Sequence, residues 1–306
     1  MQKPPNKPIH IWPECPECIM GMVEDSISMT DEGAGSSGED IHSLAEGILD
    51  ESLENQCSSP AASNRIIREL KRLSGISDPY FLFKKRELKQ AREIYGKMEG
   101  AMGKDLRSCA SLAVLGNSLD FFTHPEKTLS SLPEMIEAGI SFYYDDIARL
   151  EHFLSSSPGL VLYLSDNAGE IFFDIPLFRF IRERAKKAVL VVKGGPSLND
   201  LTRAEIKSEN LESEFKNIAD TGTDGVGIDW DHVSTDFKDL YRSADLVISK
   251  GMANFETLYT GPVKELSTDV FFLLKAKCGP ISSYLKAPPG SYCAIWREGN
   301  LLRDRV

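Results

Sequence analysis

The chain has 306 residues, 42% of them hydrophobic, which is enough to bury a sizeable core and too long for the small disulfide-stapled class. Its net charge of −11, from 46 acidic against 35 basic residues, sets most of the surface against phosphate backbones and anionic lipid, so neither nucleic acid nor membrane is an expected partner. There is no apolar run of 18 residues, and MQKPPNKPIHIWPE lacks the apolar stretch and cleavage site of a secretion signal, so a cytoplasmic location is expected.

In chain order, the Pro-rich start reads as an extended arm ending at Cys15 and Cys18, the one C-x-x-C pair among six cysteines. A closed zinc site needs four ligands, and no second C-x-x-C or H-x3-5-H follows. The pair therefore reads first as reduced thiols. A second metal site holding zinc, or a redox pair, is the minor alternative, with His10, Cys57 or Cys109 available to complete it in space. Met29 to Asp40, rich in Gly, Ser and acids, reads as a mobile loop. Apolar residues three and four apart predict helices over Ser43 to Leu53, Ala61 to Leu73, Pro79 to Met98, Asp105 to Leu115 and Met135 to Leu154. The basic residues between Arg65 and Arg92 are interleaved with acids and read as solvated helix faces.

From Leu160 the texture changes to short apolar strands separated by helices, as βαβ units require. Strands are predicted over Leu160 to Ser165, Ala188 to Lys193, Asn217 to Asp220 and Leu246 to Lys250, with Tyr292 to Arg297 at the sheet edge. Phe271 and Phe272 read only as core. The fold class is α/β: a mainly helical region over 1–155, followed over 156–306 by alternating strands and helices expected to form a mainly parallel, Rossmann-like sheet.

Loops that follow successive parallel strands emerge on one sheet edge. Here they are SDNAGE (165–170), KGGPSLND (193–200), DTGTDGVGID (220–229) and SKGMANFE (249–256). Asp166 and Asp200 lie one strand-helix-strand repeat apart, so both carboxylates and the Asn167 amide can meet at one point. Such oxygen donors suit a hard divalent cation. Asp166 alone could equally be a helix N-cap. Lys193 and Lys250 at strand ends, with glycines that include Gly194 and Gly222, suggest a phosphate cradle, although TGTDGVGID lacks the G-x-G-x-x-G spacing. Asn117 and Asp120 in GNSLDFF end a predicted helix, where capping is the simplest reading. Neither a G-x-S-x-G elbow nor a P-loop occurs.

GNSLDF, SDNAGEIFFD, VKGGPSLNDLT, ADTGTDGVGI and ADLVISKGMANFETL, in this order, resemble the metal-dependent damage-control phosphatases, long a family of unknown function with an acidic-residue methyltransferase-like fold. Cys15-Pro-Glu-Cys18 further resembles the stand-alone microbial branch, which carries N-terminal cysteines. The resemblance implies a helical N-terminal region joined, over 156–306, to a three-layer α/β/α metal- and phosphate-binding domain, and hydrolysis of phosphate esters of small, often damaged or side-product metabolites, such as sugar phosphates or phosphopantetheine derivatives. It puts the cation, Mg, Mn, Co or Ni, on Asp166, Asn167 and Asp200. It further implies that Asn117, Asp120, Lys250, Asn254 and Glu256 close around the substrate and its phosphate. Asp166 and Lys250 are the expected catalytic pair, and Glu170, Asp174 and Glu256 the candidate acids for the leaving group. The competing readings are an AdoMet-dependent carboxyl methyltransferase, disfavoured because no glycine-rich cofactor loop follows Asp166, and a non-catalytic metal- or metabolite-binding protein.

Overall fold

The computed structural model describes residues 4–5, 9–30, 38–98, 103–117, 139–259 and 267–299. Helices α1 (Cys15–Thr30), α2 (Gly38–Glu54) and α3 (Ser59–Ser74) pack through a small core of their own that includes Val23, Ala45, Ala62 and Leu70. α3 shows how the sequence marks its own ends. The Ser58 hydroxyl accepts from Ala61 N–H, Pro60 sits in the first turn, and Gly75 closes the helix at φ +73° with its N–H on Lys71 O. Helices α4 (Phe81–Met98) and α5 (Leu106–Gly116) then carry the chain to the sheet.

The remaining elements are β1 (Phe142–Asp145), α6 (Ile147–Ser155), β2 (Leu160–Leu164), a 3-10 turn (Ala168–Glu170), α7 (Ile171–Arg182), β3 (Lys187–Val192), α8 (Arg203–Ser208), α9 (Glu212–Phe215), β4 (Ile218–Asp220), α10 (Thr235–Ser243), β5 (Leu246–Lys250), α11 (Met252–Tyr259), β6 (Asp269–Lys275), α12 (Gly279–Leu285) and β7 (Tyr292–Arg297). Seven strands form one sheet in the order β1-β7-β6-β5-β2-β3-β4, parallel throughout except for the antiparallel β6–β7 pair. Alternate residues of each strand face opposite layers. Tyr163, Leu190, Ile248 and Phe271 meet α4, α5, α6 and α7 on one face, while Leu162, Val191, Val247 and Phe272 meet α10, α11 and α12 on the other. Burial on both faces explains why the central strands read as unbroken apolar runs. A helical N-terminal region thus joins a three-layer α/β/α body.

Five elements depart from the sequence reading. The expected arm is helical from Cys15 onward. The expected helix over Met135 to Leu154 breaks at β1, where Phe142 and Tyr144 point inward while Tyr143 and Asp145 face out, a period of two that competes with the helical one. β7 lies between β1 and β6 rather than at an edge, and β6 had no counterpart among the expected strands. Of the expected loop, Met29 and Thr30 end α1 and 38–40 open α2, while 31–37 lie outside the described residues. No described helix is long and apolar enough to cross a membrane.

Candidate active site

After β2 the chain builds β3 and β4 on one side, then returns to place β5 on the other side of β2. The crevice beyond the carboxyl ends of β2 and β5 is therefore a topological switch point, where open α/β sheets bind ligands. Two loops are zipped together there: Leu201 N–H donates to Asp166 O at 2.9 Å, Ala168 N–H donates to Asn199 O at 2.8 Å, and Asn167 bridges to Asp200. Asp166, Asn167 and Asp200 are thereby brought to one place. The β5 loop closes against them through Gly251, which sits at φ +77° and whose added Cβ would lie 1.9 Å from Asp166 Oδ2.

Beneath this surface is a charged network. Lys250, with no exposed surface, donates to Glu170 Oε2 at 2.9 Å and to Asp174 Oδ1 at 2.7 Å, and both carboxylates are buried. Asn117 Nδ2 donates to Asp166 Oδ2 at 2.8 Å and to Glu170 Oε1 at 2.6 Å, and Asn167 Nδ2 reaches the same Glu170 oxygen at 2.9 Å. Lys193 pairs with Asp200 at 3.4 Å and donates to Gly227 O. Asn254 Nδ2 donates to Ser165 O at 3.0 Å and to Lys250 O at 2.9 Å, joining the β2 and β5 loops.

Four carboxylates, Asp166, Glu170, Asp174 and Asp200, thus crowd around two ammonium groups in direct contact, Lys193 and Lys250, with Lys277 and Lys84 acting from farther away. Burial, then Glu170 and Asp200, hold the Asp166 carboxyl well above its ordinary range. Burial raises Asp200 against the pull of Lys193, and pushes Asp174 up to about 6 against that of Lys250. The donor set fits a hard divalent cation. Its charge would cancel the carboxylate excess, and Asn117, already bonded to Asp166, has a buried Oδ1 without a hydrogen-bond partner among the described residues. The set is two carboxylates plus amide oxygens; among the described residues no three His, Cys, Asp or Glu side chains form a metal-holding group.

Several expected roles change. The Lys250 ammonium is buried between two carboxylates and makes no surface on which a phosphate could rest in this conformation. It pairs with Glu170 and Asp174, which are buried anchors. Gly194 and Gly222 do not offer free amides: Gly194 N–H donates to Thr223 O and Gly222 N–H to Asp220 Oδ1. These glycines exist because the two loops touch, a Cβ on Gly194 lying 2.6 Å from the Gly222 backbone. They still line an open cleft of about 580 Å³ with Lys71 and Arg72. Nor are the cations of the Arg65–Arg92 stretch all solvated. Arg68 holds Asp229, Lys71 holds Asp224, and the buried Lys84 joins Asp78 to Glu205, fastening the helical region to the loops. Asp120 lies outside the described residues.

Glu256 is half-buried on α11, and burial pushes its carboxyl up to about 8. Its electrostatic neighbours are Cys18 and Cys278, whose thiols burial raises first and nearby acidic groups raise further. All six cysteines are free. Glu87 on α4 was missed altogether: it is buried against Gly169 of the β2 loop, but in sequence it is one more charged residue on an amphipathic helix.

A profile of the damage-control phosphatase ARMT1-like domain matches residues 11–292. A damage-control phosphatase of Archaeoglobus fulgidus is 31% identical over 287 residues, covering 89% of this chain and 94% of that protein. One from Pyrococcus horikoshii is 31% identical over 282 residues, covering 91% and 95%. The crystal structure of a DUF89 family protein from Pyrococcus horikoshii superposes with a TM-score of 0.82 at 28% identity, over 94% of this chain and 98% of that one. These similarities run through all of the loops just described, and the chain belongs to the damage-control phosphatase ARMT1-like family.

Proposed function

We propose that this phosphatase is a divalent-cation-dependent phosphomonoesterase of the cytoplasm, acting on small phosphorylated metabolites, damaged or side-product ones included, such as sugar phosphates or phosphopantetheine derivatives. The observation that carries this reading is the excess of carboxylate over ammonium at the switch point, set beside the family membership. Asp166, Asn167 and Asp200 would hold the cation, Mg, Mn, Co or Ni. When bound, it would polarise a phosphoryl oxygen and favour ionisation of a water nucleophile.

The chain's own residues complete the chemistry. Asn117 fixes the rotation of the Asp166 carboxylate through the 2.8 Å bond, and Lys193 restrains Asp200. Lys250 donates to one oxygen of Glu170, whose other oxygen accepts from Asn117 and Asn167 and orients both amides. Hydrolysis of the ester leaves an alkoxide oxygen that needs a proton. Glu256 is the candidate donor because its SKGMANFE motif resembles the family segment that closes around substrate, and burial, which pushes its carboxyl up to about 8, favours the protonated form at neutral pH.

The test is phosphate release from a panel of sugar phosphates, phosphopantetheine derivatives and nucleotides, with metal-stripped protein resupplied by Mg²⁺, Mn²⁺, Co²⁺ or Ni²⁺, beside Asp166→Ala. Metal-restored turnover confined to the unsubstituted protein supports the reading and ranks the substrates. Folded protein that releases no phosphate with any metal overturns it.

A further inference from the structure

Glu87 enters the site from the helical region, outside every loop that carries the motifs. Its side chain is 4% exposed and lies so close to the β2 turn that a Cβ on Gly169 would stand 2.4 Å from Glu87 Cγ. The Gly169 backbone packs directly against its carboxyl, and Asn199 Nδ2 lies 3.5 Å from each of its oxygens. Gly169 belongs to the turn that carries Asp166 and Asn167, and Asn199 immediately precedes Asp200. One buried carboxyl therefore touches both of the loops that meet at the candidate centre. The Ala168 N–H bond to Asn199 O closes the same junction from the other side.

Packing does not account for an acid here. A buried carboxyl without an ion-pair partner weakens a fold, and an apolar side chain of similar length would fill the space better. No described cation forms a salt bridge with Glu87; Lys277 acts on it only as the weakest of several influences. Burial, then Glu170, push its carboxyl up to about 8, so at neutral pH it adds little charge to a centre already rich in carboxylates.

We infer that Glu87 is a positioning residue for the divalent cation: it ties the Asp166–Asn167 turn to the Asn199–Asp200 loop and sets the spacing of the ligands. The inference rests on the reading that these residues hold a cation. Partners of this kind, bonded to the groups that carry ligands, typically change metal affinity by roughly 10- to 100-fold when removed.

The experiment is Mn²⁺ binding to the full-length, metal-stripped protein, followed by the loss of the free-ion electron paramagnetic resonance signal. It compares the unsubstituted chain with Glu87→Met, Glu87→Gln and Asp200→Asn, and each metal-free protein is also melted. Glu87→Met is expected to bind Mn²⁺ about tenfold or more weakly while melting no lower than the unsubstituted chain. Glu87→Gln keeps the length that packs on Gly169 and an oxygen for Asn199, and should bind within about threefold of the unsubstituted chain. Unchanged binding in Glu87→Met overturns the inference, as does a Glu87→Met protein that melts well below the unsubstituted chain or fails to fold, which would mark a structural role. Equal loss in Glu87→Gln and Glu87→Met overturns it too. If the unsubstituted chain binds no Mn²⁺, or binds it no better than Asp200→Asn, the cation centre itself is wrong and this inference falls with it.

Discussion

Lys250→Met isolates what the buried ammonium contributes. In the native protein Nζ stands 2.9 Å from Glu170 and 2.7 Å from Asp174, with all three side chains out of solvent. At an effective dielectric of about 20, unit charges about 4 Å apart attract by about 4 kcal/mol, so two such pairs offset much of the several kcal/mol that each ion loses on desolvation. Removing the ammonium leaves two buried carboxylates with no cation between them, at an expected cost of about 3–5 kcal/mol. With a urea slope of about 3 kcal/mol per molar, the unfolding midpoint should fall by about 1–1.7 M at pH 7. The sign of the pH dependence follows from burial. Burial already pushes Asp174 up to about 6 against the pull of Lys250, and without that pull it rises further, so its contribution is kept at low pH and lost as pH rises through the folded value. The deficit should be larger at pH 8 than at pH 5. The triple variant Lys250→Met, Glu170→Gln, Asp174→Asn should recover most of the stability but no activity. A single variant as stable as the native protein, or a triple variant no better than the single, would refute this account of the network.

Three further outcomes are expected. Gly251→Ala places a Cβ 1.9 Å from Asp166 Oδ2 at a φ of +77°, so it should displace the Asp166 carboxylate, cost about 1–3 kcal/mol in a urea melt and abolish phosphate release. Asp166→Asn relieves repulsion from Glu170 and Asp200, so the metal-free variant should melt about 2 °C or more above the native protein at pH 8, with a smaller gain at pH 5, while losing turnover; an unchanged melting temperature at pH 8 would contradict the raised Asp166 carboxyl. For Glu256, whose carboxyl ionises near 8 in the fold against an ordinary 4.5, the stability it contributes is present at low pH and lost as pH rises through 8. Glu256→Gln should therefore be relatively more stable at pH 8.5 than at pH 5, and should lack the alkaline fall in kcat expected of the native protein.

The parts of this molecule written in local sequence were legible. The run at 160–164 and the Leu246–Lys250 run become the central strands within a residue of their expected ends, because burial on both faces demands uninterrupted apolar residues. Asp166, Asn167 and Asp200 converge because parallel βαβ units force the loops after β2 and β3 onto one edge. What depends on partners distant in sequence was not legible. β1 is four residues long and its signal is submerged in helical periodicity on either side. β6 holds a run of apolar residues that a buried helix segment would share. Lys250 sits at a strand end, as expected, but only the packing of α7 brings Glu170 and Asp174 to it and turns an apparent phosphate clamp into a buried counter-ion. Gly194 and Gly222 were chosen for the freedom of their backbones, whereas the structure uses their missing side chains to let two loops touch. Glu87 has no local signal, since nothing in FLFKKRELKQ separates it from its solvated neighbours.

The central claim is a cation-dependent phosphatase centre on Asp166, Asn167 and Asp200. Its most direct test is a titration of metal-stripped protein with Mn²⁺ while phosphate release from p-nitrophenyl phosphate is followed, in parallel with folded Asp200→Asn. Turnover that is absent without metal, rises to saturation with Mn²⁺ and is lost in Asp200→Asn at the same Mn²⁺ concentration is the predicted result. Full turnover in the stripped protein, or equal turnover in Asp200→Asn, would contradict it.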